Sequence, residues 1–540
     1  MSEKLYKIIE ITDLKDMLNK TKDIYSNDIA YKIRVGEKQY KEISHKKVRE
    51  MVDSLGTALI NMGLKNKRIA VIGENRYEWE IAYLSIVCGT GIVVPLDKSL
   101  PENELESLIK RSEVEAIFYS KKYENILKNI KYKEDNKLKH LISMDNNENI
   151  EGIYSQNELI QNGKKLIELG NREFIDAQID SEKMSIMLFT SGTTSNSKVV
   201  ALSHKNICSN LMDIGSILDV NSNDIVLSIL PIHHVFECTV GFLFSLYKGA
   251  QTVFCDGIRH ILENINEYKV TVMACVPGIY ERLLKINKAE IGKLNNQIKL
   301  FISGAAALDS NVEKEYRNLG INIVQGYGLT ETSPVVAVGT NKEHRIGSVG
   351  KNVPSVETKL LNINNEGIGE LVVKGPSVAL GYYQDDKSTK EAFEGEWFHT
   401  GDLAKIDEDG YIYICGRKKS VIVLKNGKNI FPEEMESLVN KIEGVNESFI
   451  FGKQQSEDKE NIKINVKLVI DKEIVKKVYK VNSEKEIENV MLEKIKEINA
   501  QIPKYKAIRG TIITEIPLIR TTTNKIKRQA NLDAINEFKN

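Results

Sequence analysis

The sequence has no excess charge of either sign and no long apolar run. Its 75 basic residues are balanced by 75 acidic ones, so the net charge is zero. A neutral chain is not expected to use nucleic acid or an acidic membrane as an obligatory partner of its whole surface. No apolar stretch reaches the length of a bilayer-spanning helix, so we expect peripheral membrane contact at most.

Cysteine is scarce and unpaired in the sequence. The six cysteines stand at positions 88, 208, 238, 255, 275 and 415, and none forms a C-x-x-C pair. This spacing predicts neither a zinc site nor a disulfide framework. Most of these cysteines lie in apolar runs, as reduced core cysteines of a cytosolic protein do. The N-terminal residues carry acidic side chains and no apolar h-region, so no signal peptide is expected and the expected location is cytoplasmic.

Strand and helix patterns alternate through the first third of the chain. Residues 68–73 and 92–96 have strand patterns, and a helix pattern runs from Trp79 to Val87 between them. This alternation predicts an α/β fold with a parallel or mixed sheet and helices on both faces. The polar residues 120–183 are interpreted as a variable connection. At 540 residues, the chain is long enough for roughly three or four domain-sized units.

An apolar strand at residues 184–189 leads into a loop of small hydroxylated residues that ends at Lys198. Backbone N–H groups, hydroxyls and one ammonium suit a polyphosphate. The alternative is a polar surface loop. A P-loop is excluded because Ser197 and Val199 stand where its second glycine and its Mg²⁺-binding hydroxyl belong. The candidate phosphate-binding residues are Thr190, Ser191, Gly192, Thr193, Thr194 and Lys198.

Two further segments follow predicted strands. Gly304, Ala305 and Ala306 are small residues that allow either tight packing or close approach of a ligand. Pro231 ends another strand and presents a His233-His234 pair. Adjacent histidines rarely converge on one metal ion, and no spaced ligand set accompanies them, so a metal site is not predicted here.

The string QGYGLTETSP contains three side chains suited to a nucleotide. Tyr327, between Gly326 and Gly328, can stack on a purine, and Thr330 offers a hydroxyl to a phosphate. Glu331 is a carboxylate that could hold Mg²⁺, a cation that needs only one or two carboxylates when phosphates and water complete its shell. The alternative is a glycine-rich turn in which a threonine caps a helix.

A third string, EGEWFHTGDLAKIDEDGYIYICGRKK, places a carboxylate and a guanidinium fifteen residues apart. Asp402 can accept hydrogen bonds from both hydroxyls of a ribose, and Arg417 can reach ribose or phosphate oxygens. The alternative is a pair of charges on a solvated face. After Arg417 the pattern changes to that of a small α+β unit.

In this order, the motifs resemble those of the adenylate-forming enzymes, which include acyl-CoA synthetases, luciferases and peptide-synthetase adenylation domains. The family's phosphate loop usually has the sequence T-S-G-T-T-G-x-P-K-G, which this chain matches at 190–194 and at Lys198. It departs at Ser195, Ser197 and Val199, where Gly, Pro and Gly are usual. The WFHTGD run further resembles long-chain fatty-acyl-CoA synthetases.

The resemblance implies roles for further residues. The backbone of Gly304, Ala305 and Ala306 would pass the adenine ring. His234 matches an aromatic or histidine position near the substrate carboxylate. Amino-acid-activating relatives carry an Asp in that region, and its absence here favours a plain carboxylic acid. Lys525 matches the adenylating lysine, with Asn524 where glycine is usual, and Lys419 matches the hinge. The turn residues Lys425 and Gly427 are counted among the cofactor-binding candidates.

For the whole chain, the resemblance implies a large N-terminal domain of layered mixed β-sheets with helices on both faces, residues 1–417. A hinge at 418–419 and a small mobile α+β C-terminal domain, residues 420–540, would follow. The implied reaction activates a fatty acid with ATP and Mg²⁺ to acyl-AMP and transfers the acyl group to CoA. Three alternatives stay open: an acyl-carrier-protein ligase, a non-catalytic nucleotide-binding protein and a luciferase-like oxygenase.

Overall fold

The structure is a computed structural model that describes residues 3–133, 136–190, 197–424, 428–454, 462–521 and 525–537. Its contacts divide the chain into two compact units. The first comprises Met1–Thr358, Val373–His399 and Asp407–Ile412, and the second comprises Lys359–Val372, Thr400–Ile406 and Tyr413–Asn540.

The chain from residue 14 to residue 217 alternates strands with helices. Its elements are α1 (Leu14–Tyr25), β1 (Ile29–Gly36), β2 (Gln39–Ser44), α2 (His45–Asn61), β3 (Lys67–Ile72), α3 (Tyr77–Ser85), β4 (Gly91–Pro95), α4 (Glu102–Arg111), β5 (Ala116–Tyr119), α5 (Glu124–Lys131), β6 (His140–Ser143), β7 (Ile153–Ser155), α6 (Gln156–Glu168), β8 (Met184–Phe189), β9 (Val199–Ser203) and α7 (His204–Ile217).

The alternation continues to residue 417. The elements are β10 (Ile225–Ser228), α8 (Phe244–Tyr247), β11 (Gln251–Phe254), α9 (Ile261–Tyr268), β12 (Val272–Cys275), α10 (Pro277–Gly292), β13 (Leu300–Ser303), α11 (Ser310–Asn318), β14 (Ile323–Gly328), β15 (Val335–Val338), β16 (Lys351–Asn352), β17 (Glu357–Leu361), β18 (Gly369–Lys374), β19 (Gly381–Tyr382), α12 (Asp386–Ala392), β20 (Phe393–Glu394), β21 (Trp397–Ile406) and β22 (Ile412–Arg417). The chain passes between the two units within β17, β18, β21 and β22.

Two mixed sheets form the framework of the first unit. One has the strand order β19-β9-β8-β4-β3-β5-β6-β7 and the other β16-β15-β14-β13-β12-β10-β11-β1-β2. From β8 to β7 and from β14 to β1, neighbouring strands are parallel. The remaining pairs of the two sheets, at β9, β19, β15, β16 and β2, are antiparallel. Parallel strands place their carboxyl ends at one edge, where α/β proteins bind ligands.

The predicted mixed α/β framework is confirmed, and one interpretation is wrong. Residues 120–183 are not a mere connection, because they contain α5, β6, β7 and α6. Strands β6 and β7 extend the first sheet, because β6 pairs in parallel with β5 and β7 pairs in parallel with β6. Strands of four and three residues are too short to show a hydrophobic period.

The elements of the second unit after residue 417 are β23 (Ile422–Val423), β24 (Asn429–Ile430), α13 (Pro432–Val439), β25 (Val445–Gln454), β26 (Ile462–Ile470), α14 (Lys472–Tyr479), α15 (Glu484–Gln501), β27 (Ile508–Thr514) and α16 (Arg528–Glu537). Three of these strands form a sheet in the order β25-β26-β27. Ile450 joins one apolar cluster with α13 and α15, while Phe449 and Phe451 join another with Ile535 of α16. Successive side chains of β25 therefore lie on opposite faces of the small sheet, and both faces are covered by apolar contacts.

Short turns of 3₁₀ or π geometry complete the helical elements. They are Ile86–Thr90, Lys121–Tyr123, Glu237–Leu243, Ile258–His260, Thr330–Thr332, Lys418–Ser420 and Lys504–Lys506.

All six cysteines are free thiols, as predicted. Those at 88, 208, 238 and 275 are buried, and Cys255 and Cys415 are partly buried. Across the described ranges, no helix combines the length and the apolar character that crossing a bilayer requires.

Candidate nucleotide-binding site

The candidate phosphate loop connects two antiparallel strands, β8 and β9, in which Phe189 pairs with Val199. The loop is closed at its base by its two ends. The Thr190 amide donates to the Lys198 carbonyl at 3.0 Å, and the Lys198 amide donates to Thr190 Oγ1 at 3.2 Å. The candidates Ser191, Gly192, Thr193 and Thr194 lie outside the described residues.

Arg111, at the end of α4, anchors the base of this loop. Its guanidinium donates to the Ser197 carbonyl oxygen at 2.7 Å and to Ser197 Oγ at 3.3 Å. The family usually has proline at this position, where the ring fixes φ. In this chain, the buried Ser197 is held by a charged donor from another element instead.

Lys198 and Glu331 both contact the side chain of Tyr382. The Lys198 ammonium nitrogen is 4.4 Å from the centre of the Tyr382 ring, a cation–π contact. The Tyr382 hydroxyl donates to Glu331 Oε1 at 2.9 Å. The structure thus brings together the lysine of the first motif and the carboxylate of the second, through a tyrosine that sequence reasoning did not identify.

The segment around Glu331 begins at the carboxyl end of β14, which includes Gly326, Tyr327 and Gly328. A Cβ at position 328 would lie 1.7 Å from the Pro334 carbonyl oxygen, so only glycine fits there. The chain then makes a 3₁₀ turn from Thr330 to Thr332. Tyr327, Thr330 and Glu331 are all half-buried, and their contact with a ligand stays a prediction.

The small-residue segment follows β13 at the same edge. The Gly304 amide donates to the Cys275 carbonyl at 3.1 Å, and a Cβ on Gly304 would lie 2.8 Å from the Phe236 ring. Ala305 has φ +67° and is exposed, as is Ala306. A left-handed alanine is uncommon and marks a turn that the surrounding chain imposes.

His234 stands in the segment that follows β10, at this same edge. Its Nδ1 accepts a hydrogen bond from the Phe236 amide at 3.3 Å. The neighbouring His233 Nε2 lies 3.5 Å from Asp97 Oδ1. Asp97 follows β4 of the other sheet, so no local sequence pattern predicts this pair.

Three residues after His234, the carboxyl group of Glu237 is fully buried. Ser228 Oγ donates to its Oε1 at 2.6 Å, and the Leu230 amide donates to Oε2 at 3.3 Å. Burial raises the pKa of Glu237 to about 7, against the opposing effect of these hydrogen bonds. A second buried carboxyl, Glu80, has its pKa raised by burial, with the charge of Glu237 as a further raising effect.

The raised pKa of Glu237 predicts that stability falls as the pH rises. The folded state favours the protonated carboxyl group of Glu237. The stability that this preference adds is fully present below the unfolded-state pKa of 4.5, and it is lost as the pH rises past the folded-state pKa of about 7. Between pH 5.5 and 8.5, the wild-type protein should lose about 2 kcal/mol of unfolding free energy that Glu237→Gln retains. Urea unfolding at both pH values measures this loss of unfolding free energy, and Glu263→Gln, which changes an exposed residue, is the control. Parallel dependence of the unfolding free energy on pH in all three proteins would contradict the prediction.

In the second unit, Asp402 and Arg417 form an ion pair. Arg417 Nε lies 2.8 Å from Asp402 Oδ1, and the Asp402 side chain is 5% exposed whereas that of Arg417 is 48% exposed. The Arg417 guanidinium also donates to the Thr400 carbonyl at 3.3 Å. The two predicted ribose-binding residues are therefore adjacent, with a buried carboxylate oriented by an accessible guanidinium.

Lys525 and Lys419 are exposed residues of the second unit. The Lys525 amide donates to Thr521 Oγ1 at 3.0 Å, and the Thr521 amide donates to the Lys525 carbonyl at 2.8 Å. Lys419 lies in the 3₁₀ turn Lys418–Ser420. The hinge at Lys419 and the domain boundary at 418–419 stay predictions. The candidates Lys425 and Gly427 lie outside the described residues.

The residues present fit Mg²⁺ better than a metal that needs a protein cage. In the described part of the chain, no group of three His, Cys, Asp or Glu side chains could together hold an ion. Glu331 supplies a half-buried carboxylate. Mg²⁺ is usually bound by one or two carboxylates together with substrate phosphates and water.

Comparisons with known proteins agree with these observations. The family model of the AMP-binding enzymes matches residues 20–383, and that of the AMP-binding enzyme C-terminal domain matches residues 419–538. The long-chain-fatty-acid–CoA ligase of Salmonella typhimurium is 28% identical over 445 residues, which cover 76% of this chain and 78% of the relative.

Solved structures show the same fold. ATP-bound MatB from Rhodopseudomonas palustris has a TM-score of 0.81 at 25% identity, covering 98% of this chain and 100% of that chain. The o-succinylbenzoate coenzyme A synthetase MenE from Bacillus subtilis, in complex with ATP and magnesium ion, has a TM-score of 0.77 at 20% identity, covering 96% and 99%. Because the first family model spans more than half of the chain, this protein belongs to the AMP-binding enzyme family.

Proposed function

We propose that this protein is an AMP-forming fatty-acid–CoA ligase. The observation that carries the proposal is the cluster of Lys198, Tyr382 and Glu331 in the first unit, which joins a candidate phosphate-binding lysine to a candidate Mg²⁺ carboxylate. The name of the Salmonella relative supports a fatty acid as the substrate. The names of that relative and of MenE both support CoA as the acceptor.

In the first step, a carboxylate oxygen of the acid attacks the α-phosphorus of ATP, and the bond from that phosphorus to the bridging oxygen breaks. The products are acyl-AMP and pyrophosphate. Two anions must approach each other, so the task of the protein is positioning and charge neutralisation. Lys198 and Lys525 would supply positive charge at the phosphates.

Glu331 would hold Mg²⁺, which, when bound, neutralises charge on the phosphate oxygens. Thr330 would donate its hydroxyl to the α-phosphate. Asp402, oriented by Arg417, would accept hydrogen bonds from the ribose hydroxyls. Tyr327 would stack on the adenine, beside the backbone of residues 304–306. His234 would lie near the substrate carboxylate.

In the second step, the sulfur of CoA attacks the acyl carbonyl carbon, the thiol proton is released to solvent, and the bond to AMP breaks. The two steps have different nucleophiles and leaving groups around one acyl group. We infer that the C-terminal domain turns about Lys419 between them, so that one acyl site serves both.

ATP–pyrophosphate exchange across a panel of carboxylic acids tests the proposal. Fatty acids of medium and long chain should drive the exchange, while amino acids should not. The acceptor is tested separately by supplying acyl-AMP with free CoA or with an acyl carrier protein. Exchange driven only by amino acids would overturn the fatty-acid assignment, and transfer only to the carrier protein would replace CoA as acceptor.

A further inference from the structure

Tyr382 contacts both charged side chains of the candidate triphosphate site. It lies in β19, is 9% exposed, and belongs to no motif that sequence reasoning identified. Its hydroxyl donates to Glu331 Oε1 at 2.9 Å, and its ring lies 4.4 Å from Lys198 Nζ. One side chain therefore spans the distance between the ammonium and the carboxylate.

The backbone of Tyr382 is fixed by bonds that do not involve its side chain. Strand β19 pairs with β9, so that Tyr382 stands opposite Val200, two residues after Lys198. The Tyr382 amide donates to Thr389 Oγ1 at 2.9 Å. The strand that leaves the phosphate loop thus also determines where the tyrosine stands. Replacement of the side chain leaves these bonds in place.

The carboxylate also has a backbone anchor of its own. The Ala379 amide donates to the Glu331 carbonyl at 2.9 Å, which holds the main chain of Glu331 next to the segment that leads into β19. The hydrogen bond from Tyr382 therefore acts on the orientation of the Glu331 carboxylate, not on the path of the chain. Partners of metal-binding side chains that fix their orientation commonly change metal affinity when they are removed.

The ring contact acts on Lys198 in a different way. A lysine ammonium is a point charge on a flexible stem, and its position is poorly defined unless something holds it. The electron-rich face of an aromatic ring attracts the ammonium without neutralising its charge. Lys198 would therefore stay available to a phosphate while its range of positions is reduced.

We propose that Tyr382 is a positioning residue that sets the distance between the Lys198 ammonium and the Glu331 carboxylate, and with it the match to a metal-bound triphosphate. This inference rests on the nucleotide-binding part of the proposed function. The Tyr382 hydroxyl raises the affinity for Mg²⁺ by orienting Glu331, and the Tyr382 ring raises the affinity for ATP by holding Lys198.

Two variants separate these roles in isothermal titration of the full chain with ATP over a series of Mg²⁺ concentrations. Tyr382→Phe keeps the ring and removes the hydroxyl, so the half-saturating Mg²⁺ concentration for ATP binding should rise about 10-fold. Tyr382→Leu also removes the ring. At saturating Mg²⁺ its Kd for ATP should be about 2- to 5-fold above that of Tyr382→Phe.

A double mutant tests whether the hydroxyl acts through the carboxylate. In a Glu331→Gln background, Tyr382→Phe should shift the Mg²⁺ requirement no further, because the charged group it orients is gone. Tyr383→Phe is the matched control: it removes a neighbouring hydroxyl that accepts from Arg68 and Gln384, outside the site. That control should leave the Mg²⁺ requirement unchanged.

An unchanged Mg²⁺ requirement in Tyr382→Phe overturns the inference, as does an equal loss of ATP binding in the Phe and Leu variants with a lowered Tm. A wild-type protein that does not bind ATP with Mg²⁺ overturns both this inference and the proposed function. If no carboxylic acid drives pyrophosphate exchange but Tyr382→Phe shifts the Mg²⁺ requirement, the ligase function fails and the inference stands.

Discussion

Lys525→Ala should slow acyl-AMP formation by at least about 10²-fold while largely sparing thioester formation from supplied acyl-AMP. Loss of one preorganised charge at the reacting phosphate typically costs 10²–10³ in rate. In the second step the nucleophile attacks the acyl carbonyl carbon and not the α-phosphorus, and a domain that turns about Lys419 would take Lys525 away from the site. The two half-reactions are measured separately, by pyrophosphate exchange and by CoA acylation.

The fold should tolerate this change. Lys525 is exposed, and the backbone bonds it shares with Thr521 do not use its ammonium. An exposed lysine contributes little to stability, so the Tm should be nearly unchanged. Lys527→Ala is the comparison variant and should keep near-normal adenylation. If Lys527→Ala has a large adenylation defect and Lys525→Ala has none, Lys527 is the catalytic lysine. If both half-reactions are lost equally in a folded Lys525→Ala protein, the alternating-domain mechanism is wrong.

Glu331→Gln should raise the Mg²⁺ concentration needed for half-maximal adenylation by at least about 10-fold. The amide keeps the shape of the side chain, and its oxygen can still accept from the Tyr382 hydroxyl. What is lost is the negative charge that a hard divalent cation requires of its ligand. Titration of pyrophosphate exchange with Mg²⁺, at fixed ATP and acid, measures the shift.

An acidic residue of the same unit provides the control for Glu331. Glu343 is exposed and pairs with Lys351 at 3.3 Å, so Glu343→Gln removes one surface charge without touching the site. Its Mg²⁺ requirement should match that of the wild type. If Glu331→Gln also matched the wild type, Glu331 would be a structural residue of the turn and the metal would be held elsewhere.

Local chemistry was enough to propose the candidate site residues that lie within single short strings. The hydroxylated loop closing on Lys198, the carboxylate of the TET turn and Asp402 each combine a residue type with a neighbouring strand or turn. Each of these patterns extends over about ten residues, and over that range the local sequence indicates the backbone structure. Resemblance to the adenylate-forming enzymes then supplied their roles and their order.

Residues that enter the site from distant elements have no such local signal. Tyr382 reaches Glu331 because β19 pairs with β9, and Asp97 reaches His233 because the two sheets meet at the carboxyl ends of β4 and β10. Arg111 reaches Ser197 from the end of α4. Each contact depends on long-range pairing, and the local sequence around each partner is compatible with an ordinary surface position.

What the sequence by itself determined is the class of the fold, the order of the motifs and the family. Hydrophobic periodicity and the residue types of short loops are properties of neighbouring residues, so they can be read without coordinates. Only the tertiary structure decided that β6 and β7 extend a sheet, that Glu237 is buried and has a raised pKa, and that Tyr382 joins Lys198 to Glu331. Burial and contact distance depend on which elements pack together, and that is a property of the whole chain.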